Sequence, residues 1–506
     1  MPSLLEYGMR KAKGAVRYLK PMPQLRCTLP EPKPLISGWA HRLPVDVEVA
    51  SLNGALESDP LRLRLKWTAY DGQCFYGGEV SLVHGKHKKD TIHAIVTTTA
   101  PEKPGTFTLS AHLARGRRET ELARAENAWT VQPLEESDGD YHYGEYMIGL
   151  DATTDCNLEC IFCLRVFMEH IHNHHVTPEE MQALAEQAFD GCSGISLSLG
   201  AEPLLNRHLD ELLNLLGEYP YVHTTMTTNG LTLSPKNTRL LVDNQYKEIT
   251  VSIDGATKET FESVRINGKF DKLLQNLERL QALKREKGSE YPKLKINMAL
   301  MKRNVHELPQ FVEMIKRLGA EKVRFQYFMI THESLTEECL WFDKERSNRY
   351  LSEAIRACEE AGIEVDAPPL FREERKNGEE KQLRTQRCHW PWKGMLIDSD
   401  GNALPCCQWK GKPLGNVNEE GFQAVWNGEG YRQLRRDWIT GDLNESCRNC
   451  SALMEGDVND FSSFFAAEYE QIMGEEPPIE RLKQNGLQNQ AQAGSTQANP
   501  EAESAS

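Results

Sequence analysis

Three cysteines stand in the run Cys156-Asn157-Leu158-Glu159-Cys160-Ile161-Phe162-Cys163, spaced C-x3-C-x2-C just after a predicted strand at Met147 to Leu150. Thiolates this close in sequence can converge from one loop onto one small object. Four cysteines close an iron–sulfur cubane, whereas three leave one iron free for a small molecule, much as catalytic metals keep a position open. Zinc and inert buried thiols are the competing readings. Zinc knuckles favour C-x2-C pairs completed by a second pair, and no further cysteine follows for about 25 residues.

A loop of this kind needs a frame. After Met147 to Leu150, strands are predicted at Ile195 to Leu199, Val222 to Thr227, Ile249 to Ile253, Leu294 to Met298 and Val323 to Tyr327. Helical periodicity fills the intervals near 178–189, 207–217, 236–243, 257–263, 270–287 and 306–318. Alternation of this kind implies a parallel sheet, whose reacting groups gather at the carboxyl ends of the strands. The cysteine loop lies at such an end.

Phe162, an aromatic immediately before the third cysteine, sharpens the pattern. Here the sequence resembles the radical S-adenosylmethionine (AdoMet) superfamily, which holds a [4Fe-4S] cluster on C-x3-C-aromatic-x-C or a close variant. The resemblance implies a partial (β/α)6 barrel, AdoMet bound at the open iron, and reductive cleavage to a 5'-deoxyadenosyl radical that abstracts hydrogen from a substrate carbon. Further motifs fit in order. Gly200-Ala201-Glu202-Pro203 resembles the family's Gly-Gly-Glu turn, with Ala in its second position, and is implied to face the AdoMet ammonium, Glu202 adding a charge-assisted contact. Ser252 and Arg265 are the implied partners of the AdoMet carboxylate, Arg265 through a bidentate grip, and Asn297 is a candidate for the ribose. Asp254 is read either as a turn initiator or as a substrate contact. His170, His172, His174 and His175 could touch substrate or a second metal, or be simple loop polarity.

The cysteines cluster again between Cys388 and Cys450, with a hairpin expected at Asp400-Gly401. The order closely resembles the short SPASM type of extension, which implies one auxiliary [4Fe-4S] cluster on Cys388, Cys406, Cys447 and Cys450, with Cys407 an extra thiol. A zinc ribbon would use two C-x2-C pairs, and this set has one. Cys339 and Cys358 could serve as hydrogen donors in an epimerisation, but they read as buried helix residues.

Ahead of the barrel the period changes to two. Val45, Val47 and Val49, Leu61-Arg62-Leu63-Arg64-Leu65-Lys66-Trp67, Glu79 to Val83, Thr91 to Thr97 and Thr106 to Leu113 are separated by turns at Asp71-Gly72, Gly77-Gly78 and Pro104-Gly105. This reads as an antiparallel, immunoglobulin-like sandwich. Its loop and strand pattern also looks like β-sandwich modules of bacterial polysaccharide-processing proteins. Trp67, Tyr70 or Trp129 could then grip glycan, if they are not core aromatics.

The chain is therefore multidomain. It reads as a basic leader (1–39), β-sandwich (40–134), linker (135–146), radical AdoMet barrel (147–330), connecting helical region (331–387), SPASM-type domain (388–452), and a C-terminal helix with a disordered tail (453–506). The tail from about residue 475 is too rich in Gln, Asn, Ala and Ser to offset its ordering entropy.

The 506 residues carry a formal net charge of -15, which argues against nucleic acid as a partner. The basic residues of 1–25 leave weak contact with an anionic membrane surface open, although no apolar run is long enough to span one. Thirteen cysteines in short clusters suit a reducing cytoplasm and, by the resemblance, an electron donor such as flavodoxin or ferredoxin. The expected substrate is a sugar or glycan-related molecule, oxidised or epimerised. The alternatives are maturation of a ribosomally made peptide, or a non-enzymatic glycan-binding or redox-sensing protein.

Overall fold

In the strand Leu61–Ala69 the alternation does what period two demands: Leu61, Leu63, Leu65 and Trp67 are buried while Arg62 and Lys66 stay exposed. The computed structural model describes residues 25–48, 61–82, 86–88, 91–115, 120–137, 139, 141, 143–167, 173–372, 388–448, 450, 460–466 and 469–497. The chain divides into two compact units, Met1–Ser137 with Tyr141–Gly144, and Asp138–Asp140 with Glu145–Ser506. The basic leader through residue 24, His170 and His172 lie outside the described residues.

The first unit has two sheets. One runs in the order Arg26–Thr28, Ala40–Glu48, Thr91–Thr99, Lys86–Lys88; the other runs Leu35–Ile36, Thr120–Gln132, Gly105–Arg115, Leu61–Ala69, Cys74–Ser81. Val45 and Val96 from the first share one core with Leu63, Trp67 and Leu109 from the second. Arg26–Thr28 and Leu35–Ile36 are strands here, although composition groups them with the leader. The strand Thr120–Gln132 was not expected, because its Glu, Ala and Arg are helix formers. Antiparallel pairing with Gly105–Arg115 along almost its whole length overrides that preference.

The tryptophans are core aromatics, as one of the two readings of the sequence has it. Trp67 and Trp129 are 0% and 1% exposed, with ring centroids 6.4 Å apart edge-to-face, and Trp67 Nε1 donates to Thr98 Oγ1 at 2.9 Å. Tyr70 is exposed.

In the second unit the six expected strands lie side by side in chain order and parallel: Tyr146–Leu150, Cys192–Ser196, His223–Thr228, Glu248–Ser252, Lys293–Leu300 and Lys322–Tyr327. Ile148, Ile195, Ile249, Ile296 and Val323 are buried. The alternate positions, Ser196, Thr225, Thr250, Asn297 and Gln326, form a polar face. The sheet does not close. Glu364–Asp366 extends it beyond the sixth strand, and Gly394–Ile397 adds in parallel beside the first, followed by antiparallel Ala403–Leu404. The second cysteine region thus begins inside the same curled sheet. Four residues are too short for a strand pattern to show; pairing with Met147 to Leu150 decides it.

Local signals work well in this unit. Helix Pro178–Ala188 starts on a capping box in which the Thr177 hydroxyl accepts from Glu180 N–H and the Glu180 carboxylate from Thr177 N–H. The tail needs correction. Helix Ile479–Gln497 covers much of the stretch expected to be disordered, anchored by buried Leu482 and by Gly486, where an added Cβ would meet the Phe342 ring at 2.3 Å. Its Leu, Ala and Gln content permits a helix once that contact exists.

Candidate functional site

The cysteine loop has little regular structure of its own, so neighbours must hold it. Glu159–Cys160 pairs antiparallel with Arg265–Ile266, and Ile161 N–H donates to Val264 O at 3.0 Å. Asn229 Nδ2, at the end of the third barrel strand, donates to Asn157 Oδ1 at 2.8 Å. Upstream, Thr154 N–H donates to His174 O at 3.1 Å and Glu202 N–H to Asp155 O at 2.9 Å. The loop is therefore tied to segments that follow the second, third and fourth barrel strands.

Within it the three thiols act on one another: Cys163 raises the pKa of both Cys156 and Cys160, although burial is the larger cause for each. Burial pushes the Cys160 thiol up to about 11, and Arg265 opposes the rise. The cysteines make no disulfide. Among the described residues no group of three or more His, Cys, Asp or Glu that could hold a single metal ion is present.

Phe162 is half-buried beside the third thiol. Gly200 is exposed, and an added Cβ there would meet nothing within 4 Å, so backbone is open to a ligand. Ala201 is half-buried.

Glu202 is placed differently from the simple reading of its motif. It is 1% exposed, and its carboxylate accepts from Thr228 Oγ1 at 2.6 Å, Asn229 N–H at 2.7 Å, and Leu204 N–H and Thr232 Oγ1 at 3.3 Å. Its acceptors are spent on fastening one strand end to the next. Burial raises its pKa in spite of those donors.

Ser252 is buried at the end of the fourth strand, in register with Asn297. Asn297 Oδ1 is buried with no hydrogen-bond partner in the protein. Arg265 corrects the expected bidentate grip: Nη2 lies 2.7 Å from Asp254 Oδ2 and Nη1 donates to Cys160 Sγ at 3.6 Å. Buried Nε makes no hydrogen bond in the protein. Asp254 is the buried counter-ion of Arg265. Arg265 Nε, on the guanidinium that reaches Cys160, and Asn297 Oδ1 are buried polar atoms without a partner in the protein, which fits a small polar cofactor beside an iron–sulfur cluster.

Sequence reasoning missed Glu307. Its carboxylate accepts from Ala256 N–H at 2.6 Å, Thr257 N–H at 3.2 Å, and the Thr257 and Thr260 hydroxyls at 2.7 and 2.5 Å. It thereby clamps the turn after Asp254 and the start of helix Lys258–Val264 from a distant segment, a role with no local signal. Burial would raise its pKa, but the Thr260 and Thr257 hydroxyls and the two N–H groups hold it below the usual carboxylate range. The stability it gives is complete above the unfolded value of about 4.3 and lost as pH falls through the lower folded value. Glu307→Gln is expected to cost about 1.5–3 kcal/mol at pH 7 and less at pH 3, read by denaturant titration at both.

His174 and His175 are engaged structurally. His175 Nδ1 is 2.9 Å from Thr153 Oγ1 and its Nε2 is 3.4 Å from Asp155, while His174 Nε2 is 3.6 Å from Glu180.

The second set is built around Arg435, buried at 0% exposure, which donates to Pro391 O at 2.9 Å and Gly139 O at 3.0 Å and lies over Trp426. Tyr431 OH contacts Gly394 O and Leu404 O, fixing the segments that carry Cys388 and Cys406. Cys447 and Cys450 act on Cys388, and Cys407, Cys388 and Cys450 on Cys406, whose thiol burial pushes up to about 12. Cys407 is exposed, while Cys339 and Cys358 are buried at 0% exposure.

Comparison with known proteins follows this geometry. Residues 151–315 match the radical SAM superfamily and residues 388–451 the SPASM iron-sulfur cluster-binding domain. The chain is 26% identical over 305 residues to an AdoMet-dependent heme synthase of Methanosarcina barkeri, covering 57% of this chain and 84% of the synthase. It is 27% identical over 180 residues to a mycofactocin maturase of Mycobacterium tuberculosis, covering 34% of this chain and 44% of the maturase. Streptococcus suis SuiB, solved with S-adenosylmethionine bound, aligns with a TM-score of 0.46 at 19% identity, over 61% of this chain and 71% of SuiB.

Proposed function

Because this chain is a radical SAM protein with a C-terminal SPASM domain, and so a protein of AdoMet, a [4Fe-4S] cluster and auxiliary iron–sulfur chemistry, we propose that it oxidises a carbon of a peptide substrate after hydrogen abstraction. What supports this reading is that Cys156, Cys160 and Cys163 share one short loop, pinned by Arg265–Ile266 and by Asn229, in which Cys163 acts on the other two thiols. Bound there, AdoMet supplies a 5'-deoxyadenosyl radical on one-electron reduction. Around it, Gly200 and Ala201 offer backbone to the ammonium group, Ser252 and Arg265 Nε serve the carboxylate, and Asn297 serves the ribose. Phe162 shields the third thiol.

Cys388, Cys406, Cys447 and Cys450 would hold one auxiliary cluster with no open iron, suited to accepting an electron from a substrate radical. The polar face of Ser196, Thr225, Thr250 and Gln326 provides hydrogen bonds for a polar substrate. A sugar is the second reading, resting on the sandwich and the basic leader, while a mycofactocin maturase stands among the relatives. The first unit is proposed as an immunoglobulin-like module covering about 40–134, with the barrel over 147–330 and the auxiliary domain over 388–452. Among the described residues no helix is long and apolar enough to cross a membrane, and a cytoplasmic enzyme fed by a flavodoxin or ferredoxin suits cysteines that form no disulfide.

The test is anaerobic. Reconstituted, reduced protein is given AdoMet with genome-neighbouring short peptides or with nucleotide sugars, and 5'-deoxyadenosine and substrate mass are followed. Stimulation with a two-dalton loss in a peptide supports the reading; stimulation by sugars alone replaces peptide with carbohydrate.

A further inference from the structure

Arg265 holds its guanidinium between a buried carboxylate and a cysteine sulfur. Nη2 is 2.7 Å from Asp254 Oδ2, Nη1 donates to Cys160 Sγ at 3.6 Å, and Arg265 and Asp254 are 8% and 1% exposed. Nothing here is free to swing. Asp254 Oδ1 accepts from Ala299 N–H at 2.7 Å, its carbonyl accepts from Asn304 Nδ2 at 3.1 Å, and Cys160 and Arg265 are direct backbone partners in their short ribbon.

Reduction of a thiolate-bound cluster adds negative charge to sulfurs that are already negative. A cationic N–H donor on one of them stabilises the reduced state, and hydrogen bonds to cysteine sulfur are a recognised lever on cluster potential. The buried site magnifies both charges. A carboxylate behind the cation moderates it.

We propose that the Asp254–Arg265–Cys160 chain sets the reduction potential of the cluster on Cys156, Cys160 and Cys163, with Arg265 raising it and Asp254, a positioning residue acting through Arg265, lowering it. This rests on the cluster assignment made above. It also explains why the guanidinium is committed to protein partners on two nitrogens when the family motif alone suggested a fork open to ligand.

The test is an EPR-monitored redox titration of the holoenzyme, following the signal that responds to AdoMet, in wild type, Arg265→Gln, Arg265→Lys and Asp254→Asn. Arg265→Gln is expected to lower the potential and Asp254→Asn to raise it, each changing the reduction equilibrium about tenfold, or about 59 mV for one electron. Arg265→Lys should fall between Arg265→Gln and wild type. Exchangeable-deuteron coupling to the cluster should weaken in Arg265→Gln and persist in Asp254→Asn.

Opposite shifts are the signature, since a merely structural role would move both variants the same way or strip their iron. Shifts of one sign, or none, with full iron overturn the inference and leave the cluster assignment standing. Iron loss from all three variants with native circular dichroism also overturns it, assigning the pair to cluster retention. Absence of any AdoMet-responsive signal in wild type overturns the cluster assignment and the inference together.

Discussion

Alanine at Cys156, Cys160 or Cys163 is expected to bring 5'-deoxyadenosine formation to background, a loss of about a thousandfold or more, and roughly to halve the iron bound per chain. Three thiols acting as one unit fail together when one is removed. The loop offers no substitute, because its backbone is fixed by the ribbon with Arg265–Ile266 and by Asn229 at Asn157. Alanine at Cys388, Cys406, Cys447 or Cys450 should remove the other share of iron and leave the AdoMet-responsive signal in place. Iron and sulfide analysis alongside product quantification separates the two sets. Undiminished product from a fully assembled single alanine variant of the first set would sink the assignment.

Glu202→Ala is expected to cost about 3 kcal/mol or more, the second largest effect. Four donors lose their acceptor, two of them backbone N–H groups. The loss should spread to the cysteine loop, since Asn229, which Glu202 holds through its N–H, in turn holds Asn157.

The pH dependence distinguishes this residue from Glu307. A raised folded pKa means the native state binds the extra proton, so the Glu202 contribution is largest at low pH and declines as pH rises from about 4.3 through the folded value. Glu202→Gln, which mimics the protonated acid, should therefore show its largest deficit near pH 4 and a smaller one near pH 8. Chemical denaturation at both, with iron retention, reads this out; a deficit growing with pH would contradict it.

Both glutamates show the limit of motif reading. The Gly200-Ala201-Glu202-Pro203 turn was visible in sequence, and so was its place at a strand end, yet the motif does not say which way a carboxylate points. Glu307 had no motif at all. Its partners lie about fifty residues away, and only the packing of the fourth and fifth strand–helix units brings them within reach. Arg265 was legible as a functional residue, but its two engaged nitrogens depend on a register between residues 105 apart.

By itself the sequence determined what short-range chemistry can encode: cysteine spacing, six strand–helix alternations, the Thr177 capping box, and period-two runs that bury one face of a strand. These depend on periodicities of two and 3.6 and on caps a few residues wide. Tertiary structure decided the rest. It put Trp67 and Trp129 into the β core, made a strand of the helix-prone Thr120–Gln132, ordered the tail onto Phe342, and joined Gly394–Ile397 to the barrel sheet. Each outcome turns on burial or pairing with a distant partner, whose free energy exceeds any local preference.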